Sequence, residues 1–461
     1  MNYKKTILAS LFSGLLGVSC IPAFALTSDF PIKIINHSGI SADKTFMVIK
    51  AVNKDNKDCF MVFDALGKGK CVVASNEFSA LDAMRSLSKL PKLDQTKDHD
   101  SYLVYLPKVT SGRIYFSYKH PMDLAFDSVA DKIVDADGFK PRDSNYYTLY
   151  DKIEFSYTDL GTWINPTAVD FFSFPIRLDQ PGADEFKVAG FYSDRPTILS
   201  KIQEVFKNDL KGGKSSSEWN KLFLTDTSSN NVETILRFMS PGKAMAKGVP
   251  GTSPFDESVF TNAKDYGDNG QSYVDKIWNY YKTHTLTIDI SGVYNSPVGT
   301  MCEGKVNAQN DFIFICPNNE IVTLPKQISS LPFFAGATGD FNAANNTSKG
   351  VIVREFTSAV VAGLLPLKEN KPLNSAYFKN HKSEYYTRDT SGGPFYDLYS
   401  KAIHSFGDTQ PIYTFAYDDA LGQDGTMHAP NKASIVTITL ENIGIDGHNL
   451  PQVFDHDSRI Y

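Results

Sequence analysis

The sequence holds only three tryptophans and nine histidines. It has no GxSxG elbow, no HExxH pair, no phosphate-cradling glycine loop and no GxGxxG after a strand pattern, which sets aside serine-hydrolase, zincin, P-loop and dinucleotide readings. Positive charge is in deficit: 46 Lys and Arg against 52 Asp and Glu leave a net charge of −6. That balance offers no electrostatic footprint for nucleic acid or an anionic membrane. Beyond the N-terminus no stretch is long and apolar enough for a membrane helix. There is no internal repeat and no low-complexity tract. Asp135-Ala136-Asp137-Gly138 starts like a calcium loop but lacks the third acidic position and the closing Glu, so it reads as a turn. No metal and no cofactor is expected.

What is present describes a packed chain. Of its 461 residues, 42% are hydrophobic, 21% charged and 13% aromatic, and the aromatic share leans towards β-structure. Lys4 and Lys5, the apolar run Ile7 to Val18 and Ala23-Phe24-Ala25 form a secretory signal, with cleavage expected after Ala25. Losing those two lysines would move the net charge from −6 to −8. Cys20 makes a poor lipid box behind Gly17, so soluble export, extracellular or periplasmic, is the expectation. Removing Cys20 leaves Cys59, Cys71, Cys302 and Cys316, and in an oxidising compartment an even count favours disulfides. Of the three pairings, the local ones, Cys59 with Cys71 and Cys302 with Cys316, each flank a short hairpin-like segment. A four-cysteine zinc site is disfavoured by the wide spacing.

From Phe30 to about Leu178 the pattern is short and strand-like: FPIKIIN, TFMVIKAV, CFMVFD, YLVYLP, RIYFSY, YYTLY, IEFSYT, VDFFSFPI. After about Gly190 helical spacing takes over, with Ile198, Leu199, Ile202, Val205 and Phe206 behind the cap residue Asp194, and Tyr273, Val274, Ile277, Trp278 and Tyr281 on a second face. Val351 to Leu365 and Phe395 to Ile403 predict two more helices, HTLTIDI and DFIFIC predict strands between them, and PIYTFAYDD and SIVTITL predict strands near the end. The economical arrangement is a signal peptide (1–25), a first part of a β domain (26–190), an inserted α/β domain (191–408) and C-terminal strands (409–461) completing the first sheet.

Carboxylates among aromatics remain as candidate chemistry. Glu154 and Asp170 lie sixteen residues apart in KIEFSYTDLGTWINPTAVDFFSFP, with Trp163 between them on an expected loop. Two carboxylates and a flat indole suit hydrolysis of a sugar chain: one acid protonates the leaving oxygen, the other activates water, and the ring stacks on a pyranose. On spacing alone the plainer reading, a surface Glu, a turn-capping Asp and a core Trp, is favoured.

Five ordered blocks change that balance: SGRIYFSYKHPMDL (Ser111 to Leu124), the stretch Glu154 to Pro175, ILRFMSP (Ile235 to Pro241), YVDKIWNYY (Tyr273 to Tyr281) and YTFAYDD (Tyr413 to Asp419), with FPIKIINHSG opening the chain. In this order they resemble family 64 glycoside hydrolases, bacterial β-1,3-glucanases. The resemblance implies a mainly β protein in which a thaumatin-like β-sandwich or barrel domain and an inserted mixed α/β domain flank a wide groove. It implies endo-hydrolysis of β-1,3-glucan to short oligosaccharides with anomeric inversion, by a monomer without cofactor that binds neither nucleic acid nor membrane. By motif match the acid and base fall on Glu154 and Asp170, and Ser156, Thr158, Trp163 and Thr167 fall on sugar-contacting positions. The chain departs from the family at Ser156 (often Thr), at Thr158 (Asn in some members), near Phe333-Phe334-Ala335-Gly336, where many relatives carry a cysteine, and over Ala420 to His428. The alternative is a non-catalytic thaumatin-like glucan-binding or antifungal protein, which would need neither carboxylate. Arg113 is read as an ion-pair partner, either of a cleft carboxylate or purely structural; Asp418 and Asp419 as turn-forming acids; Trp278 and Tyr281 as core.

Overall fold

The computed structural model describes residues 29–93, 100–140, 143–210, 213–226, 234–245, 255–291, 299–336, 338–344, 347–405, 411–430 and 435–444. The export segment 1–25, with Cys20, lies outside them.

Strict alternation builds the first sheet. In Phe30–Asn36 the residues Phe30, Ile32 and Ile34 are buried, while Pro31, Lys33 and Ile35 are only partly so. This strand pairs antiparallel with Asp100–Leu106 and parallel with Val436–Leu440, so segments from both ends of the chain share one sheet. Ile176–Asp179 and Val188–Gly190 complete its five strands. The larger, eight-stranded sheet runs Met427–Ala429, Gly161–Pro166, Leu149–Thr158, Val109–Tyr118, Thr45–Val52, Asp58–Phe63 and Gly69–Val73, with Arg85–Ser86 added beside Thr45–Val52. Ile32, Ile34, Tyr102, Val104 and Ile438 from the first sheet share a core with Ile49, Ile114, Phe116, Ile153, Phe155 and Ile164 from the second.

Because side chains alternate along a strand, burying Ile153, Phe155 and Tyr157 turns Lys152, Glu154 and Ser156 to the opposite face. There a second, smaller core of Val48, Phe60, Tyr115, Met122, Leu124, Tyr150 and Phe171 covers part of the sheet. The uncovered part carries charge.

The remaining chain adds a three-stranded sheet, a four-stranded meander (Leu286–Asp289, Met301–Val306, Asp311–Ile315, Ile321–Pro325) and helices. Arg195–Asp209 starts where Asp194 accepts the Thr197 N–H at 2.8 Å, and Tyr273–Tyr281 starts at a capping box of Ser272 and Asp275. Their apolar faces, Ile198, Ile202 and Phe206 on one and Tyr273, Ile277 and Trp278 on the other, join the main core. The protein is mainly β, with several sheets and a minority of helices. Cys59 is bonded to Cys71, and Cys302 to Cys316.

PIYTFAYDD is not a strand. Tyr413 makes only an isolated bridge with Thr167, and Asp418–Leu421 is a helical turn. The cause is Asp418, whose carboxylate accepts from the Thr414 N–H and hydroxyl, both at 2.7 Å, and closes the chain on itself. Trp163 likewise lies on a strand, Gly161–Pro166, rather than on a loop. The hairpin leading into it depends on Gly161, which has φ +123° and where a Cβ would stand 2.3 Å from the Ala429 carbonyl oxygen. Gly161→Ala is expected to cost about 1–3 kcal/mol, read as a lower thermal midpoint. An unchanged midpoint would show the hairpin to be unconstrained.

Candidate active site

Register sets the site. Lys50 stands opposite Arg113, Arg113 opposite Glu154, and Glu154 opposite Asn165, so four polar residues from four adjacent strands form one row across the sheet. The next row places Ser156 opposite Trp163 and Trp163 opposite His428. These rows open on a cleft of about 660 Å³ lined by Lys50, Arg113, Asp135, Glu154, Ser156, Trp163 and Asn165 among others.

Glu154 accepts from Arg113 Nε at 3.0 Å, and Arg113 Nη1 is paired with Asp135. Asp135 also accepts from the Tyr115 hydroxyl at 2.6 Å and pairs with Lys50 at 2.5 Å. Burial works against the Asp135 charge, but Arg113 and Lys50 outweigh it and hold its pKa below the usual carboxylate value. One guanidinium is thus divided between two carboxylates.

Asp170 sits in the segment between Gly161–Pro166 and Phe171–Phe172. It is paired with Lys152 and, at 3.0 Å, with Lys243. Burial alone would raise its pKa; the two ammoniums overcome burial and drive it far below the ordinary carboxylate value. Lys152 and Glu154 are two residues apart on one strand, so they share a face, and Asp170 is brought to that face through Lys152. Despite the burial of Arg113, the carboxylates of Asp135, Glu154 and Asp170 together raise its pKa. Behind the sheet, Asp151 accepts the N–H groups of Ser173 (2.8 Å) and Phe174 (3.4 Å), tying the strand to the segment that follows Asp170. Its burial pushes its pKa up to about 7 against those hydrogen bonds.

The sequence-expected residues divide. Glu154, Ser156 and Trp163 line the cleft, and Ser156 Oγ accepts the Ser111 N–H at 3.2 Å. Thr158 ends its strand, its hydroxyl accepting the Leu160 N–H at 3.1 Å in the turn. Thr167 is buried and accepts the Val169 N–H at 3.4 Å. Asp170 is on the same face as Glu154 but is not among the residues lining the cleft. Arg113 pairs with Glu154, whereas Asp418 serves a turn and Trp278 and Tyr281 are core. Sequence reasoning missed Lys50, Lys152, Lys243, Asn165 and, above all, Asp135, which sat in view within Asp135-Ala136-Asp137-Gly138. No group of three or more His, Cys, Asp or Glu among the described residues is arranged to hold a metal ion.

Two carboxyls on one sheet face, one held ionised and the other beside an open cleft with an indole, can transfer protons to and from a bound sugar chain. The sequence profile described as "Beta-1,3-glucanase", that of glycoside hydrolase family 64, matches residues 28–440. The chain belongs to glycoside hydrolase family 64. The resemblance read from the five blocks is borne out, and three of the blocks supply the site and its support: Arg113 and Tyr115 come from the first, Glu154 to Asp170 from the second, and the buried Arg237 from the third. Among curated proteins, a glucan endo-1,3-beta-glucosidase of Cellulosimicrobium cellulans is 25% identical over 333 residues, 72% of this chain and 52% of its own length. One of Arthrobacter sp. (strain YCWD3) matches to the same extent. The chain therefore spans about half the length of these curated relatives. Among solved structures, a laminaripentaose-producing beta-1,3-glucanase in complex with laminaritetraose aligns with a TM-score of 0.68 at 21% identity, covering 91% of this chain and 100% of that one. The family 64 beta-1,3-glucanase domain from Clostridium beijerinckii aligns at 0.64 with 18% identity, covering 89% and 98%. At these identities the likeness is one of fold.

Proposed function

We propose that the chain is a secreted endo-β-1,3-glucanase that cleaves β-1,3-glucan to short oligosaccharides with anomeric inversion. Glu154 protonates the glycosidic oxygen. Asp170 takes a proton from a water that attacks the anomeric carbon from the other side, and the leaving sugar departs as an alcohol. The observation that carries this reading is the ionised Asp170 between Lys152 and Lys243, on the same sheet face as Glu154. A base must be unprotonated at the working pH, and the two ammoniums beside Asp170 favour its ionised form. Inverting pairs stand roughly 6.5–9.5 Å apart to admit water. Lys152, two residues from Glu154 on one strand, ties Asp170 to the same face of the sheet, where such a pair would have to stand.

Trp163 supplies the stacking surface and Ser156 a hydroxyl; Asn165, whose side-chain nitrogen is buried and makes no hydrogen bond among the described residues, adds a donor opposite Glu154. Thr158 and Thr167 shape the two ends of the sugar-contacting hairpin. In this reading the β part (26–190 with 409–461) is the thaumatin-like domain, 191–408 is inserted, and the enzyme is a monomer without cofactor that binds neither nucleic acid nor membrane. Two features agree with export: two disulfides, and no described helix long and apolar enough to cross a membrane. The test is reducing-sugar release by the mature chain from linear β-1,3-glucan, beside β-1,4-glucan. Release from the first alone is expected; release from neither contradicts the reading.

The lysines give a pH prediction. Removing a cation raises the Asp170 pKa, so in Lys243→Met the carboxylate takes up its proton at higher pH and the acid limb of the kcat profile moves upward. Lys243 is the better target because its side chain is 39% exposed, against 7% for Lys152. A profile with an unmoved acid limb would show that Asp170 is not the group titrating there.

A further inference from the structure

The imidazole of His428 lies on the Trp163 indole with ring centroids 4.5 Å apart and planes at 23°. Two bonds to one residue hold it there. His428 Nδ1 meets Asp184 Oδ2 at 3.0 Å, and the Asp184 N–H donates to the His428 carbonyl at 2.8 Å. The turn from Gln180 to Asp184 is itself braced, since the Ala183 N–H donates to the Gln180 carbonyl and Gln180 Nε2 donates to the Thr162 hydroxyl at 3.1 Å, beside Trp163.

A half-buried indole is a poor platform when it can still rotate, because each sugar it stacks on must also stop that rotation. A second ring packed against it removes this freedom before the ligand arrives. We propose that His428, tethered by Asp184, is a positioning residue that fixes the Trp163 indole as the sugar platform and sets how firmly the cleft grips a β-1,3-linked glucan beside Ser156. The inference rests on the glucanase reading and adds two residues to it. Neither touches the bond being cleaved, so the effect falls on ground-state binding and leaves the proton transfers at Glu154 and Asp170 alone.

The experiment is an intrinsic-fluorescence titration of the full chain with a linear β-1,3-gluco-oligosaccharide, alongside initial rates, for wild type, His428→Ala, His428→Phe and Asp184→Ala. Trp219 and Trp278 are each 1% exposed, so a ligand-induced change reports Trp163. His428→Ala is expected to raise the titration midpoint and KM roughly three- to tenfold, the worth of one aromatic pair, with kcat within about twofold. His428→Phe keeps a ring on the indole and should restore most of the affinity, with Asp184→Ala falling between. Should His428→Ala fail to fold, Asp184→Ala decides, since it leaves the ring and the backbone bond in place and loses only the carboxylate held by Nδ1. Wild-type midpoint and KM in the deciding variant overturn the proposal, as does a loss confined to kcat. A wild-type chain that neither changes its emission with the oligosaccharide nor releases reducing sugar contradicts the glucanase reading itself, and the proposal falls with it.

Discussion

Glu154→Gln is expected to lower turnover of linear β-1,3-glucan by about 10²–10⁴-fold while oligosaccharide affinity stays within a few-fold. The amide keeps the shape and one oxygen for Arg113 Nε, so the row Lys50–Arg113–Glu154–Asn165 is left standing and only the transferable proton is lost. Asp170→Asn should lose a similar share of turnover and carry a second cost. Lys152 is paired to Asp170 with its side chain 7% exposed, and an amide leaves that ammonium buried without a counter-charge. Stability should therefore fall in Asp170→Asn and hold in Glu154→Gln. Comparing the two by rate and by chemical denaturation separates chemistry from folding. Near-wild-type rates in Glu154→Gln would remove it from the catalytic pair.

The largest effect on stability is expected from Arg237→Met. Arg237 is 1% exposed, and its guanidinium donates to the backbone carbonyls of Gly138 (2.8 Å), Asn145 (3.1 Å) and Tyr146 (2.7 Å), and to that of Thr148. Its charged plane packs on the rings of Tyr150 at 4.7 Å and Phe171 at 5.4 Å. One side chain therefore secures both the segment that follows Asp135 and the residue next to Asp170. Methionine fills much of the volume but leaves these carbonyls buried without donors, a loss of about 3–5 kcal/mol. Lysine keeps a charge yet cannot fork to several acceptors, so Arg237→Lys should fall between. Urea denaturation gives the measurement, and a midpoint unchanged in Arg237→Met would show that the loop is held some other way.

IEFSYT was legible because its burial alternates, and RIYFSY because aromatic and β-branched residues fill it. RIYFSY and IEFSYT read as strands and are strands, and that alternation is what turns Glu154 away from Ile153 and Phe155. Helix starts were legible at Asp194, where a cap and a proline stand together. The partners of the two carboxylates were not. Lys50, Asp135 and Lys243 reach the site from 104, 19 and 73 positions away from the carboxylates they or their partners serve, through strand register and loop packing that no local spacing encodes. Asp135 was passed over because its motif was weighed as a calcium loop and, failing that, as a turn; its acceptors face Arg113, Tyr115 and Lys50, which become neighbours only once two strands are paired. YTFAYDD misled for a different reason. Its apolar alternation suits a strand, but one buried carboxylate satisfying Thr414 twice outweighs what an edge pairing would supply. The His428–Trp163 stack joins a three-residue edge strand to one far earlier in the chain, below the length at which a strand pattern can be seen.

A single displacement by water between Glu154 and Asp170 inverts the anomeric carbon, so the anomer of the first product reports the mechanism. In a proton NMR time course of linear β-1,3-glucan hydrolysed by the mature chain, α-anomer reducing ends are expected first, with the β-anomer growing in later by mutarotation. A β-anomer appearing first would require a covalent intermediate and two displacements, and would contradict it.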